Sequence, residues 1–276
     1  MANDNLFSGL IFFVMTLTVP AYAVDRSVWE LGIGASVISF SDYVGSDKRN
    51  NLVLPVPFVN YYGDIVRIDR DSVRSEFFDS DTLKIDVSLS GSIPVDSDDN
   101  KDREGMPDLD PIIELGPSLE YEFYRHPLNN SRLSVELPIR SAIASDFSDV
   151  KEVGWISNPN VKYSRKEYDM TGTWTLQAAL GPLFGNSRYH QYFYGVRDKF
   201  ANTQRPPFDA DSGFGGWRLS LGFSRRVNDI WYGGFVRYID ISNADFADSP
   251  LVKQDHSLIG GLAIAWIFAK SASLRE

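Results

Sequence analysis

The sequence predicts an all-β chain that crosses a membrane as an antiparallel up-and-down barrel, in twelve strands. Three observations carry this. Apolar and polar residues alternate with period two after residue 24, and no stretch there approaches the roughly 18 apolar residues of a membrane helix. The alternating segments run to about 10–12 residues, the length of a tilted membrane strand, against about 5–6 for ordinary strands. Aromatics gather near segment ends, at Trp29, Tyr121, Phe123, Trp217, Trp266 and Phe268, as an interfacial girdle would. A soluble β-sandwich shares the alternation with its apolar face inward. Strand length weighs for the barrel.

Taken in order, the first element is not a strand. The run 6–19, LFSGLIFFVMTLTV, is short for a membrane span and precedes Ala21-x-Ala23, a small-x-small cleavage pattern. Residues 1–23 therefore read as a cleaved secretory signal, although the leading MANDN lacks Lys and Arg. The mature chain is expected to start at Val24, with a barrel over 24–268 and a short tail over 269–276.

Strands are expected at 29–40, 52–61, 64–70, 72–78, 83–93, 112–124, 131–141, 154–168, 172–183, 216–227, 230–240 and 257–268. In the first, Leu31, Ile33, Ala35 and Val37 alternate with Glu30, Gly32, Gly34 and Ser36. Strict alternation fails if 64–78 is one crossing, so a tight hairpin turning at Asp71 is expected there. Leu83, Ile85, Val87 and Leu89 alternate with Lys84, Asp86, Ser88 and Ser90; Ile113 to Phe123 with Glu114 to Glu122; Leu133 to Ile139 with Arg132 to Arg140. The strand at 216–227 alternates Trp217, Leu219, Leu221 and Phe223 with polar residues, and the last alternates Leu258, Leu262, Ile264, Trp266 and Phe268 with small ones. Short turns fall at 62–63, 79–82, 125–130, 169–171 and 228–229. Long loops fall at 41–51, 94–111, 142–153, 184–215 and 241–256, outside by the usual topology. The segment 189–196 could form a strand but is placed in the long loop.

Composition removes several functions. There are no cysteines, hence no disulfide, thiolate metal site or cysteine nucleophile. Lys and Arg total 27 against 37 Asp and Glu, a net charge of −10 that argues against nucleic acid as a partner. The three histidines, His126, His190 and His256, form no relay pattern, and no phosphate-loop or zinc-protease motif occurs, so no catalytic residues and no cofactor are expected.

The strand register sends Glu30, Lys84, Asp86, Glu114, Glu120, Glu122, Arg132, Glu136, Arg140, Arg218 and Arg237 into the lumen. Opposed acidic and basic walls fit a narrow pore; a network that fills the lumen fits equally in kind. Mixed signs at close range tend to pair, which favours a filled or loop-plugged barrel. Tyr192, Phe193 and Tyr194 are expected to fold back over the mouth as a lid, since an exposed aromatic cluster is unfavourable in water. In the loop 94–111, Asp96, Asp98, Asn100 and Asp102 fall at spacing two, as in a calcium loop, but Lys101 and Pro107 break the pattern. A solvated acidic loop is expected, with a weak divalent-ion site as the alternative.

Several ordered motifs resemble one family. Trp29-Glu30-Leu31-Gly32-Ile33-Gly34 is followed by Tyr43-Val44-Gly45-Ser46-Asp47 and Leu54-Pro55-Val56-Pro57-Phe58-Val59-Asn60-Tyr61. Then come Glu114 to Tyr121, Tyr194-Gly195-Val196, Ala247 to Val252, and the glycine-rich stretch Gly260 to Phe268. Their order resembles the MipA/OmpV family of MltA-interacting outer-membrane proteins. The resemblance implies a non-enzymatic outer-membrane barrel contacting lipid and lipopolysaccharide in a Gram-negative cell. It also implies a scaffold linking a lytic transglycosylase to a penicillin-binding protein. The outward-facing loops point instead to a narrow pore, or to a surface receptor or adhesin for small solutes or envelope ligands. One departure is the tail AKSASLRE after Phe268, where such barrels usually end on an aromatic.

Overall fold

The computed structural model describes residues 29–62, 66–69, 72–75, 78–80, 82–146 and 149–271. The expected signal at 1–23 and residues 272–276 of the expected tail lie outside these. Fourteen strand segments are described: β1 (Trp29–Ser41), β2 (Arg49–Tyr62), β3 (Val66–Asp69), β4 (Ser72–Ser75), β5 (Phe78–Asp79), β6 (Leu83–Ser92), β7 (Ile112–His126), β8 (Ser131–Ser145), β9 (Val150–Ser157), β10 (Asn160–Asp169), β11 (Gly172–Gly185), β12 (Gly213–Val227), β13 (Ile230–Asp240) and β14 (His256–Lys270). One helix, α1 (Ser187–Tyr194), and a 3-10 turn at Asp198–Phe200 complete the described elements.

The strands form one antiparallel meander. The path runs from β4 through β3, β2 and β1 to β14, then back down the sequence to β5. First strand therefore pairs with last, Gly34 opposite Ala265 and Val37 opposite Leu262. The two ends of the path, β4 and β5, are sequence neighbours, and Cα atoms of β4 come within 8 Å of β6. This is an up-and-down barrel architecture.

Several boundaries differ from expectation. The crossing expected at 154–168 is two segments, β9 and β10, split at Asn158-Pro159. Pro159 has no N–H to give a ladder, while Asn158 Nδ2 bonds the Pro182 carbonyl at 2.7 Å. The register against β8 runs on through the break, from Ile139 opposite Ser157 to Glu136 opposite Asn160. The loop expected at 142–153 is largely strand, because β8 reaches Ser145 and β9 starts at Val150. The tail begins later than 269, since β14 continues to Lys270. The 64–78 hairpin is present as β3 and β4, joined by Asp69 opposite Ser72. Its turn at Asp71 and the link 76–77, on which a count of twelve crossings depends, lie outside the described residues.

The outward face is apolar. Ile33, Val53, Ile139, Leu262, Ile264, Trp266 and Phe268 are all exposed, Val53 at 72% and Leu262 at 67%. Such a continuous band on every long strand is stable against lipid and costly against water. The inward face changes character along the barrel. Near the short turns it carries charge, and Phe58 packs against Trp231 there, ring centres 6.2 Å apart. Towards the long connections the same inward positions become apolar: Arg140 is followed by Ala142 and Ala144, and Arg237 by Ile239 and Ile241, all four of the apolar residues buried. The main hydrophobic core lies at that outer end, between these strand residues and the loops.

Among the described residues one wall is thin. There β2 pairs with β1 from Arg49 to Tyr61, but with β3 only at Tyr61 and Tyr62. Ser36 Oγ reaches the Leu54 carbonyl at 3.5 Å, so Leu54 turns its backbone towards β1. Alternation then turns the backbone of Pro55 and Pro57 towards the other edge. Two of the amide positions on that edge therefore have no N–H to leave unsatisfied.

Candidate functional site

All eleven predicted lumen residues face inward, and none of them is exposed. At the turn end Glu30 accepts two bonds from Arg226 Nη1, each 2.8 Å, and one from Asn60 Nδ2 at 2.9 Å. Glu122 pairs with Arg125 and, at 3.6 Å, with Arg132. Glu120 accepts from Ser134 Oγ at 2.9 Å; Lys84 and Asp86 face the same interior from β6. Higher up, Arg140 Nε donates to Glu114 at 3.2 Å and its Nη1 to Ser88 at 3.0 Å. Glu136 accepts from Asn160 Nδ2 at 3.3 Å. Arg218 and Arg237 stand apart: among the described residues neither makes an ion pair or hydrogen bond, and Arg237 Nε is buried without a partner. Gln177 and Lys162, both buried and inward, belong to this lining but are absent from the expected set, because no inward register is assigned to the strands expected at 154–168 and 172–183.

Over this lining sits a cap. The segment 187–194 is neither strand nor loop but the helix α1. Asn186 Oδ1 starts it by accepting from Tyr189 N at 3.0 Å, and also accepts from Trp155 N at 3.1 Å, tying the helix to β9. The three aromatics expected over the mouth lie on its last turn. Phe193 and Tyr194 are buried. Tyr192 is half-buried, and its hydroxyl accepts from Asp110 N at 2.8 Å; burial pushes that phenol up to about 12.

Tyr194 stacks flat on Phe246, centres 3.7 Å apart at 7°, and its hydroxyl donates to the Val44 carbonyl at 3.0 Å. Ser249 Oγ donates to the Tyr194 carbonyl at 2.7 Å. Tyr43 reaches the Leu251 carbonyl at 2.8 Å. The four loops at 42–48, 93–111, 186–212 and 241–255 are thus one packed body. His190 is its pin. Its Nδ1 lies 2.6 Å from the Asp211 carbonyl, which can only accept, and its ring meets Phe246 edge-on at 4.8 Å. Burial lowers its pKa, outweighing the Asp211 carbonyl and the charge of Asp245. Space for the ring comes from Gly185, where a Cβ would lie 2.6 Å from Nε2.

The acidic loop is built into the cap. Asn100 is 1% exposed and donates to Asp42 at 2.7 Å. Asp102 pairs with Lys253 at 3.2 Å. Asp96 and Asp98 turn to backbone amides of their own loop, Asp98 N and Gly105 N. The four residues of the calcium-like spacing therefore point to different partners. Among the described residues no group of three or more His, Asp or Glu side chains converges on one point. Arg103 and Arg205 hold the loop in place, Arg103 bonding the Phe193 carbonyl at 3.2 Å and Arg205 the Asp102 carbonyl at 2.9 Å.

The family model of MltA-interacting protein MipA matches residues 33–268. The chain belongs to the MipA family. Relatives fit this. Outer membrane protein Omp26La of Vibrio anguillarum is 20% identical over 75% of this chain and 76% of its own. Outer membrane protein OmpV of Vibrio cholerae is 22% identical, again over 75% of this chain and 76% of its own. The high-pH structure of Pseudomonas putida OprB aligns over 88% of this chain and 95% of that one at 9% identity, with a TM-score of 0.29, too distant to carry an argument. Both relatives are named as outer-membrane proteins, and the family is described by its interaction with MltA. This MipA-family chain is an outer-membrane protein, and its lipid-facing apolar band is the physical counterpart of that location.

Proposed function

We propose that the protein is a non-conducting outer-membrane anchor that holds a murein-cleaving lytic transglycosylase, and through it the synthetic penicillin-binding machinery, close to the membrane. The observation that carries this reading is the cap: α1 and four loops pack as one hydrophobic body across the outer end, with Tyr192, Phe193 and Tyr194 as its lid. A barrel closed this way offers surfaces rather than a channel. The family description, MltA-interacting protein, supports the choice of partner. The lumen residues then serve structure: Glu30 with Arg226, and Glu114 with Arg140, brace the wall from inside. Export with cleavage before Val24 is part of the same reading, and the N-terminal sequence of the membrane-extracted protein reads it directly.

The test pairs two measurements on purified, refolded protein. In planar bilayers the intact chain stays silent, while a variant lacking residues 189–208 gives discrete conductance steps. The intact chain, immobilised, retains a purified lytic transglycosylase, and the deletion variant retains it equally, because the partner docks on the periplasmic side. Steps from the intact protein would make it a pore instead. Silence with no transglycosylase retained would leave the scaffold without support.

A further inference from the structure

We propose that the chamber beneath the cap binds a small monocarboxylate with a compact apolar body. This goes beyond the anchoring role and does not depend on it. The chamber is a cavity of about 180 Å³ between α1 and the inward faces of the strands. Its polar end is made by Arg218 on β12 and Arg237 on β13, two lumen guanidiniums that make no ion pair or hydrogen bond among the described residues. The neighbouring carboxylates are already engaged. Glu114 is held by Arg140 at 3.2 Å and by the Tyr189 hydroxyl at 3.0 Å. Glu136 is held by Asn160 at 3.3 Å, and Asp42, also on the chamber wall, by Asn100 and by Lys48 at 3.9 Å. Arg140, Arg218 and Arg237 lie near one another, with Glu114 and Glu136 the acidic groups among them. With Asp42 on the chamber wall and its partner Lys48 counted, four positive charges stand against three, a positive excess.

The opposite wall is apolar, formed by Phe40, Leu183, Phe193, Phe246 and Ile259. A guanidinium fork matches a carboxylate edge with two parallel hydrogen bonds, and the match is stronger where water is scarce. A closed cavity of about 150 Å³ is enough for one benzene ring, so this chamber has the size for a single-ring acid. Charge at one end and hydrocarbon at the other select for an amphipathic anion over either a neutral ring or a bare inorganic ion. Reading the chamber as hydrated space predicts no such selection.

The experiment titrates the full chain, purified in detergent, with benzoate by calorimetry. Saturable benzoate binding is expected. Benzyl alcohol keeps the ring without the charge, and acetate keeps the charge without the ring; each is expected to bind at least tenfold more weakly. Arg218→Gln and Arg237→Gln are each expected to weaken benzoate at least tenfold and to leave benzyl alcohol unchanged, with heat-modifiable gel mobility reporting that the barrel has folded. Should a glutamine variant fail to fold, the benzoate and benzyl alcohol comparison on the unaltered chain decides alone. The proposal is overturned by benzoate binding no tighter than benzyl alcohol, by glutamine variants that bind benzoate as before, or by inorganic phosphate binding more tightly than benzoate.

Discussion

His190 shows how one side chain couples the cap to pH. Its folded pKa is lowered from 6.5 by burial, so the released chain takes up the proton more readily than the seated one. Above about pH 6.5 both forms are neutral and seating is unaffected. Below it, seating weakens progressively until the lowered folded value is reached. Hydrogen exchange of the α1 amides, corrected for its intrinsic pH dependence, is therefore expected to quicken between pH 7.5 and 5, and His190→Gln is expected to remove that change. Phe246, stacked on Tyr194 and buried to 3%, makes a different contribution. Phe246→Ala removes about 3 kcal/mol of packing, with little effect on the distant strand ladder. The result to look for is faster trypsin cleavage after exposed Arg197 and Lys199, while the barrel keeps its folded gel mobility. A barrel that unfolds instead would mean the cap is not a separable body. Neither role was legible beforehand, since an isolated histidine among aromatics carries no register to say which neighbours it meets.

At the scale of elements, the long strands were legible because lipid on one side and polar groups on the other impose period two. The cap was harder. Its helix has the local signals, Asn186 as N-cap and His190, Phe193 and Tyr194 at helical spacing. They were obscured because a short aromatic-rich stretch also suits a strand. A second signal lay in the strands themselves: the inward positions turn apolar after Arg140 and Arg237, which describes a seat for something apolar. Gly154 joins the two. It has φ +121°, and a Cβ there would fall 2.2 Å from Asn186 Oδ1 and 2.6 Å from Tyr189 N. Gly154→Ala is therefore expected to displace the start of α1 and give conductance steps comparable to removing 189–208. An alanine variant as silent as the parent would show that the helix start tolerates the shift. The calcium-like spacing carried little information for a related reason: spacing along a loop fixes neither where its side chains point nor which other loops they meet.

For the whole molecule, the meander and the lumen lining followed from alternation, while the division of the lumen into a charged floor and an apolar outer seat needed the third dimension. The thin wall at β2 has a consequence beyond this single chain. An unpaired strand edge inside a membrane is a template on which a neighbouring copy can add its own strand. Pro55 and Pro57 blank two successive rungs of that template. Replacing both with Thr, which suits a strand and restores both amides, is expected to yield edge-paired dimers in cross-linking of native membranes, where the parent chain stays single. If the substituted chain also stays single, the edge is shielded by something other than its prolines. On this view two residues within the resemblance motif LPVPF serve to keep copies of the protein apart: in a membrane crowded with sheets, they make one sheet unwilling to join another.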